Sequence, residues 1–330
     1  MSQHENFDRR TSVEISSDAG SIIINPLAFG PQTPEGQIRI RFSGTKTASS
    51  NTDVFNCTIY NLSEEDQDRI TEICRNVARI DVNAGYLLKG PGLALSGDIR
   101  FLAHVRQGNN IVTDIVCADG FAALVNSRFR HSNKGVVKTA TVLKKALNIL
   151  NDNNLATSAK AQKVISLITS DLSNKVPREL KKFDFDGSAL DCLNRFAKIA
   201  DTQFVIQDGQ VDVIDYTEEV LTTSPPIPLT FKSGLLNKPT PLEGGGVAFD
   251  TQLDVRLKPG AVANVLLENF LIKTTTVSGD NNAMGPWTTY CECDPIGRTP
   301  AFDGFGIDEC DPIGRTPRTP AFDGFGIDVA

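Results

Sequence analysis

The sequence predicts a mainly β protein of the α+β class, in which two β-rich halves flank a small α+β insert. Three observations predict it. Apolar and polar residues alternate with period two in DVFNCTIY and RIDVNAGY, and that period sets one row of side chains on a core. The same period returns after a proline-rich break, in VAFDTQLDVRL and VANVLLENFLIKTTTV. Between these halves, TATVLKKALNILNDNN and SALDCLNRFAKI carry apolar residues at helical spacing.

Taken in order, residues 1 to 34 are polar apart from SIIINPLAF, which Pro26 interrupts. They read as an extended arm that adds a strand to a neighbouring subunit, or as a frayed terminus. QIRIRF, Gln37 to Phe42, opens the first half, residues 35 to 125, and SGTKTASSNTD is a polar loop between strands. Ser63 stands ahead of Glu64, Glu65 and Asp66, the pattern that an N-cap and a helix dipole favour. Ile70, Ile73, Cys74 and Val77 then form one stripe, so a single amphipathic helix from Ser63 to Arg75 is expected outside the sheet wall.

The insert is expected over residues 126 to 222. Thr139 to Asn154 reads as a helix capped by Thr139 or Thr141, with Val142, Leu143, Ala146, Leu147 and Leu150 on its buried stripe. KVISLITSD, Lys163 to Asp171, fits a strand or a short helix. Ser188 caps a helix that buries Leu190, Leu193, Phe196 and Ile199, and QFVIQDGQVDVID is a hairpin turning at Asp208-Gly209. LTTSPPIPLTF marks a boundary, because consecutive prolines cannot join a sheet ladder. The second half runs from 223 to 293, with Gly244 to Gly246 allowing a tight bend and Pro259-Gly260 a turn. In the tail, 294 to 330, the segment CDPIGRTPAFDGFGID recurs in two pieces, and Phe302, Phe305, Phe322 and Phe325 read as anchors that dock into a neighbouring subunit.

With 40% apolar and 22% charged residues, the 330-residue chain is an ordinary globular one, and no run of eighteen apolar residues marks a membrane span. The first residues lack the apolar core of a signal peptide, so the protein is expected to stay where it is made. A net charge of −7 argues against a surface that grips nucleic acid, which would need clustered Lys and Arg. Seven cysteines are an odd number without framework spacing and read as free, buried thiols. Catalytic patterns are poor. His4, His104 and His131 lie in no nucleophile motif, Cys291, Cys293 and Cys310 lack zinc-ribbon spacing, and Asp184 and Asp186 of FDFDG precede a helix start where acids stabilise without catalysing. No catalytic residue, cofactor or metal is expected.

One resemblance sharpens this reading. The strand DVFNCTIY, N-L-S, an acidic helix, a strand ending in AGY, S-G-D-I, a polar turn, a strand and A-D-G follow one another in an order that resembles the first tube-like barrel of tail hub proteins of contractile-tailed bacteriophages, the baseplate hub family. SGLLNKPTP and the β segment after it, within Phe231 to Leu271, are similar to that family's second barrel. The resemblance implies two tail-tube-like β-barrel domains and a homotrimer forming a pseudo-sixfold ring, which joins the tail tube protein to the central spike protein in the baseplate of the virion. Other baseplate proteins and the tape measure protein are implied partners, DNA passes without specific binding, no membrane is involved, and synthesis takes place in the host cytoplasm. It makes residues 43 to 53, with Ser43, Thr45 and Lys46, a contact to the next ring. Asp250 and Asp254, alternating with Phe249, Leu253 and Val255, become lumen or interface positions. The alternative is a tail-associated peptidoglycan hydrolase using carboxylates of the insert. A secreted carbohydrate-binding protein would need aromatic platforms, which one Trp and four Tyr do not supply.

Overall fold

The computed structural model describes residues 8–26, 37–48, 53–86, 90–153, 155–169, 179–181, 183–198, 202–216, 220–282 and 284–296. In the first half, β1 (Arg9–Ser17) and β2 (Gly20–Ile24) form a hairpin, followed by β3 (Ile40–Thr47), β4 (Val54–Tyr60), helix α1 (Glu64–Ile73), β5 (Arg79–Tyr86), β6 (Gly90–Gln107) and β7 (Asn110–Ala118). The expected arm is corrected here. Between Arg9 and Ile24 the chain pairs with its own sheet, Val13 opposite Val82 and Ile15 opposite Ile80, because alternating Val13, Ile15, Ile22 and Ile24 complete the local core. Helix α1 starts as its sequence dictates: the Asp66 amide donates to Ser63 Oγ at 3.1 Å, while Ile70 and Ile73 are buried. It packs on β1 and β2.

The insert follows with α2 (Phe121–Asn126), β8 (Arg128–Asn133), β9 (Val137–Lys138), α3 (Thr139–Asp152), β10 (Ala156–Thr157), α4 (Ala159–Thr169), β11 (Glu179–Leu180), β12 (Phe183–Ser188), α5 (Ala189–Ala197), β13 (Thr202–Gln207) and β14 (Gln210–Asp215). Lys163 to Thr169 is therefore helical. Ser188 caps α5 by accepting from the Asp191 amide at 3.0 Å. The cap of α3 differs from expectation: Lys138 occupies the N-cap position and offers no side-chain acceptor, since the chain enters the helix directly from β9. His131 sits in β8, stacked on Phe129, not in a turn. The insert has its own core, with Phe129, Leu143, Leu193 and Phe204 among its buried members.

The second half comprises α6 (Val220–Thr223), β15 (Ile227–Leu229), β16 (Thr240–Pro241), β17 (Val247–Gln252), β18 (Val262–Val265), β19 (Glu268–Asp280) and β20 (Trp287–Pro295). Its core gathers Phe249, Ile272, Cys291 and Cys293. Gly244 and Gly245, at φ of 85° and 86°, turn the chain between β16 and β17 as the three glycines suggest. Two strand expectations change. Residues 253 to 258 leave the sheet after β17, and the apolar run after Pro259-Gly260 is broken into β18 and β19 by a tight hairpin at Leu266 and Leu267, both at positive φ.

The largest change concerns the relation of the halves. Thr274–Asp280 of β19 pairs antiparallel with Arg41–Thr47 of β3, so both halves belong to one 13-stranded sheet whose main path runs β16-β17-β20-β19-β3-β4-β7-β6-β5-β1-β2. Among the described residues neither half closes on itself as a separate barrel. Leu253, Val277 and Trp287 of the second half even enter the first core. The architecture is α+β, mainly β.

Candidate assembly surface

Strand registers decide which side chains share a face of this sheet. Directly opposite residues lie on the same side, so a row can be followed from strand to strand. Starting from β7, Val116 lies opposite Asn56, Asn56 opposite Ser43, Ser43 opposite Ser278, Ser278 opposite Thr288, and Thr288 opposite Gln252. A second row runs from Thr45 to Thr276, Tyr290 and Asp250, and a third joins Asp114, Thr58, Arg41 and Asp280. Apart from Val116, both halves thus contribute hydroxyl, amide and charged side chains to one face. Except for Asp280, these residues are half-buried or exposed, while their neighbours Phe42, Cys57, Ile115, Val277, Cys291 and Phe249 point the other way into the two cores.

The polar groups on this face satisfy one another. Thr45 and Thr276 hydroxyls meet at 2.9 Å, and Thr58 Oγ1 donates to Asp114 Oδ1 at 2.9 Å. The Arg39 guanidinium donates to both Asp280 oxygens, at 3.2 and 2.7 Å, and stacks 4.7 Å from the Tyr60 ring centre. Asn237 Nδ2 donates to Asp250. At the β6 end the face becomes apolar, where Phe101, 56% exposed, lies opposite Val116.

Of the positions picked from sequence, Ser43, Thr45 and Asp250 come together on this face. Residues 43 to 47 are strand, which corrects the loop reading there. Lys46 points the other way, is 6% exposed, and donates its Nζ to Asp208 in the turn between β13 and β14. Asp254 lies past the end of β17 in a bidentate pair with Arg256. Phe302, Phe305, Phe322 and Phe325 lie outside the described residues. The sequence reading missed Asn56, Ser278 and Thr288, although every-other-residue polarity in TTTVSGD and WTTYCEC carried the signal.

Lys46 belongs to a junction that holds the insert against the sheet. Asp208 also faces Lys258 at 3.6 Å, and its carbonyl accepts from Arg79 Nη2 at 2.9 Å. Asp119, at the end of the first half, accepts from the Asp208 amide at 2.6 Å and the Gly209 amide at 2.8 Å. Positive φ at Asp208 and Gly209 is what a two-residue Asp-Gly hairpin turn requires. Burial, reinforced by the Asp208 charge, pushes the Asp119 carboxyl up to about 7, and burial pushes Asp53 up to about 6. Both folded-state values stand above the ordinary 3.8. The folded chain therefore binds protons that the unfolded chain has released, and the stability these groups contribute is lost as pH rises toward about 7. Melting at pH 5.5 is expected to lie above melting at pH 8, and Asp119→Asn should flatten that slope; an unchanged slope would contradict the assignment.

The acids, histidines and cysteines singled out from sequence, where they lie among the described residues, sit in structural surroundings. Arg128 donates to Asp186 at 3.1 and 3.2 Å and holds its carboxyl below the usual carboxylate range, the opposite of what a general acid needs. His104 is a sheet residue held at 2.8 Å by Thr113 and 3.2 Å by Thr71, and burial lowers its pKa. A cavity of about 480 Å³ beside the junction is lined by Asp208, Asp212, Arg256 and Lys258; the first acid is bound by Lys46, and the second accepts from Ser158 Oγ at 2.6 Å. Among the described residues six cysteines are free, and burial pushes Cys57, Cys192 and Cys291 up to about 12, so these three are packing groups. Among the described residues no group of His, Cys, Asp and Glu is placed to hold a metal, and no helix is long and apolar enough to cross a membrane.

No protein-family model matches the chain, and no curated protein sequence does. Solved structures do. A tail protein from Neisseria meningitidis aligns over 86% of this chain and 96% of its own, with a TM-score of 0.52 at 12% identity. The 43 kDa tail protein of prophage MuSo2 from Shewanella oneidensis aligns over 88% of this chain and 100% of its own, with a TM-score of 0.52 at 9% identity. A chain of the Francisella PdpA–VgrG complex aligns over 90% of this chain and 60% of its own, with a TM-score of 0.50 at 7% identity. The 13-stranded sheet with its inserted α+β unit thus shares its fold with the Neisseria tail protein and the prophage MuSo2 tail protein.

Proposed function

We propose that this chain is a structural protein of a phage tail, the hub of a baseplate, and not an enzyme. In this reading three copies form a pseudo-sixfold ring, each copy contributing two β-rich halves, and the ring joins the tail tube protein to the central spike protein. Other baseplate proteins and the tape measure protein are further partners, the ring belongs to the tail of the virion, and the chain is made in the host cytoplasm. The observation that supports it most is the polar face shared by both halves. A channel wall that DNA crosses must offer hydroxyls and amides to water while withholding clustered cations, since each phosphate neutralised by Lys or Arg adds to the cost of moving on. Arg39 on that face is already committed to Asp280, and Asp114, Asp250 and Glu292 outnumber Arg41, which leaves the face acidic. In this reading the next copy continues the wall at Phe101, which is exposed in the single chain.

Light scattering of the purified chain, alone and mixed with tube and spike subunits, tests the proposal. A mass three times that of the chain, or incorporation into a complex with either subunit, is expected. A chain that stays monomeric in every mixture would overturn it.

A further inference from the structure

Charge is distributed unevenly along this chain. Between Arg128 and Lys198 there are 14 Lys and Arg against 6 Asp and Glu, a balance of +8, whereas the rest carries 19 against 34, a balance of −15. The fold exposes part of the basic excess on the faces of β8 and α3 that turn away from the core they share. Arg128 and Arg130 stand on the outer side of β8, with Phe129 and His131 turned inward, and Asp186 is their shared counter-ion at 3.1 and 4.0 Å. Lys134 follows in the turn, Lys138 leads into α3, and Lys144 and Lys145 lie on the exposed side of α3, which packs against both β8 and β9. All four lysines are exposed, and none of them is in an ion pair among the described residues.

The opposite charge is concentrated on α1. That helix carries five acids and one arginine in ten residues, and Glu64, Glu65 and Glu72 are exposed and in no ion pair among the described residues. One chain therefore presents a lysine-bearing face of α3 and an acidic helix α1, whose Lys144, Lys145, Glu64, Glu65 and Glu72 are in no ion pair among the described residues. Aromatic rings of the insert stack inward as Phe129, Phe183 and Phe185, so the basic side offers no platform for bases, which disfavours single-stranded nucleic acid. Charge complementarity favours a second copy.

We propose that the exposed, lysine-bearing side of α3 in the insert docks onto helix α1 of a neighbouring copy of the same chain. Such a contact joins two different surfaces and is heterologous, the type that makes a ring when its rotation closes. It rests on the hub reading and adds to it the pair of surfaces that meet and a dependence on salt, because exposed charges are screened within about 8–10 Å at physiological ionic strength.

Sedimentation at 50 and 500 mM salt tests it with three variants: Lys144→Glu/Lys145→Glu, Glu65→Lys/Glu72→Lys, and the combination of all four, each first checked for unchanged melting. The expected result is self-association weakened on the order of tenfold by high salt and by either pair of reversals, and largely restored in the combined variant. Association insensitive to all reversals overturns this docking and leaves the hub reading standing. A combined variant no better than either pair also overturns it, as does DNA binding that is lost with the lysine reversals in a chain whose self-association is unaffected. A wild-type chain monomeric at every concentration overturns the docking, and if it also ignores tube and spike subunits, the hub reading falls with it.

Discussion

Phe42→Ala is expected to lower the folding free energy by about 3–5 kcal/mol, the usual range for truncating a fully buried phenylalanine. Phe42 is 1% exposed on β3, the strand that ties the halves together through β19. Its ring meets Trp287 of β20 edge to face at a centroid distance of 6.0 Å, and Gly279 is glycine at the closest approach: a Cβ there would run into the Phe42 ring. The cavity left by alanine therefore opens between the halves rather than inside one of them. Denaturant melts of purified protein measure the loss. A cost under about 1 kcal/mol would mean that the β3–β19 seam is not a packed core.

Lys46→Ala is expected to cost about 3–5 kcal/mol, because removing one member of a buried pair leaves the other charge without compensation. Both side chains are largely covered, at 7% and 14% exposure, and Lys258 stands farther off at 3.6 Å. The double variant Lys46→Met/Asp208→Asn should recover most of the loss, since Asn tolerates the positive φ at that turn and no charge is then stranded. Limited proteolysis of the insert checks the same point independently. If the single and double variants melt together, the ion pair is not what fastens the insert to the sheet.

How much of this was legible in the sequence follows from the range of the interactions involved. Ser63 and Ser188 announce their helices because capping is local, and Asp208-Gly209 announces its hairpin for the same reason. The pairing of β3 with β19 joins residues more than two hundred positions apart, and period two says which side chains share a face but not which strands are neighbours. Separate barrels were therefore expected where one open sheet exists. The Leu266-Leu267 turn was invisible for another reason: two-residue hairpins at positive φ ordinarily call for Asn and Gly, and two leucines there read as strand. Leu267 is 92% exposed, so its side chain does not explain the turn. Of the positions the resemblance suggests, Ser43, Thr45 and Asp250 lie on the polar face. Lys46 and Asp254 lie off it, Lys46 in a pair with distant Asp208 and Asp254 in a pair with Arg256 two residues on.

An electron-microscopy reconstruction of the assembled oligomer tests the central claim most directly. It should place Asn56, Ser43, Ser278 and Thr288 along a water-filled axial passage, with both hydrophobic cores behind them. Finding that row covered by another protein, or turned to the outer surface, would contradict it.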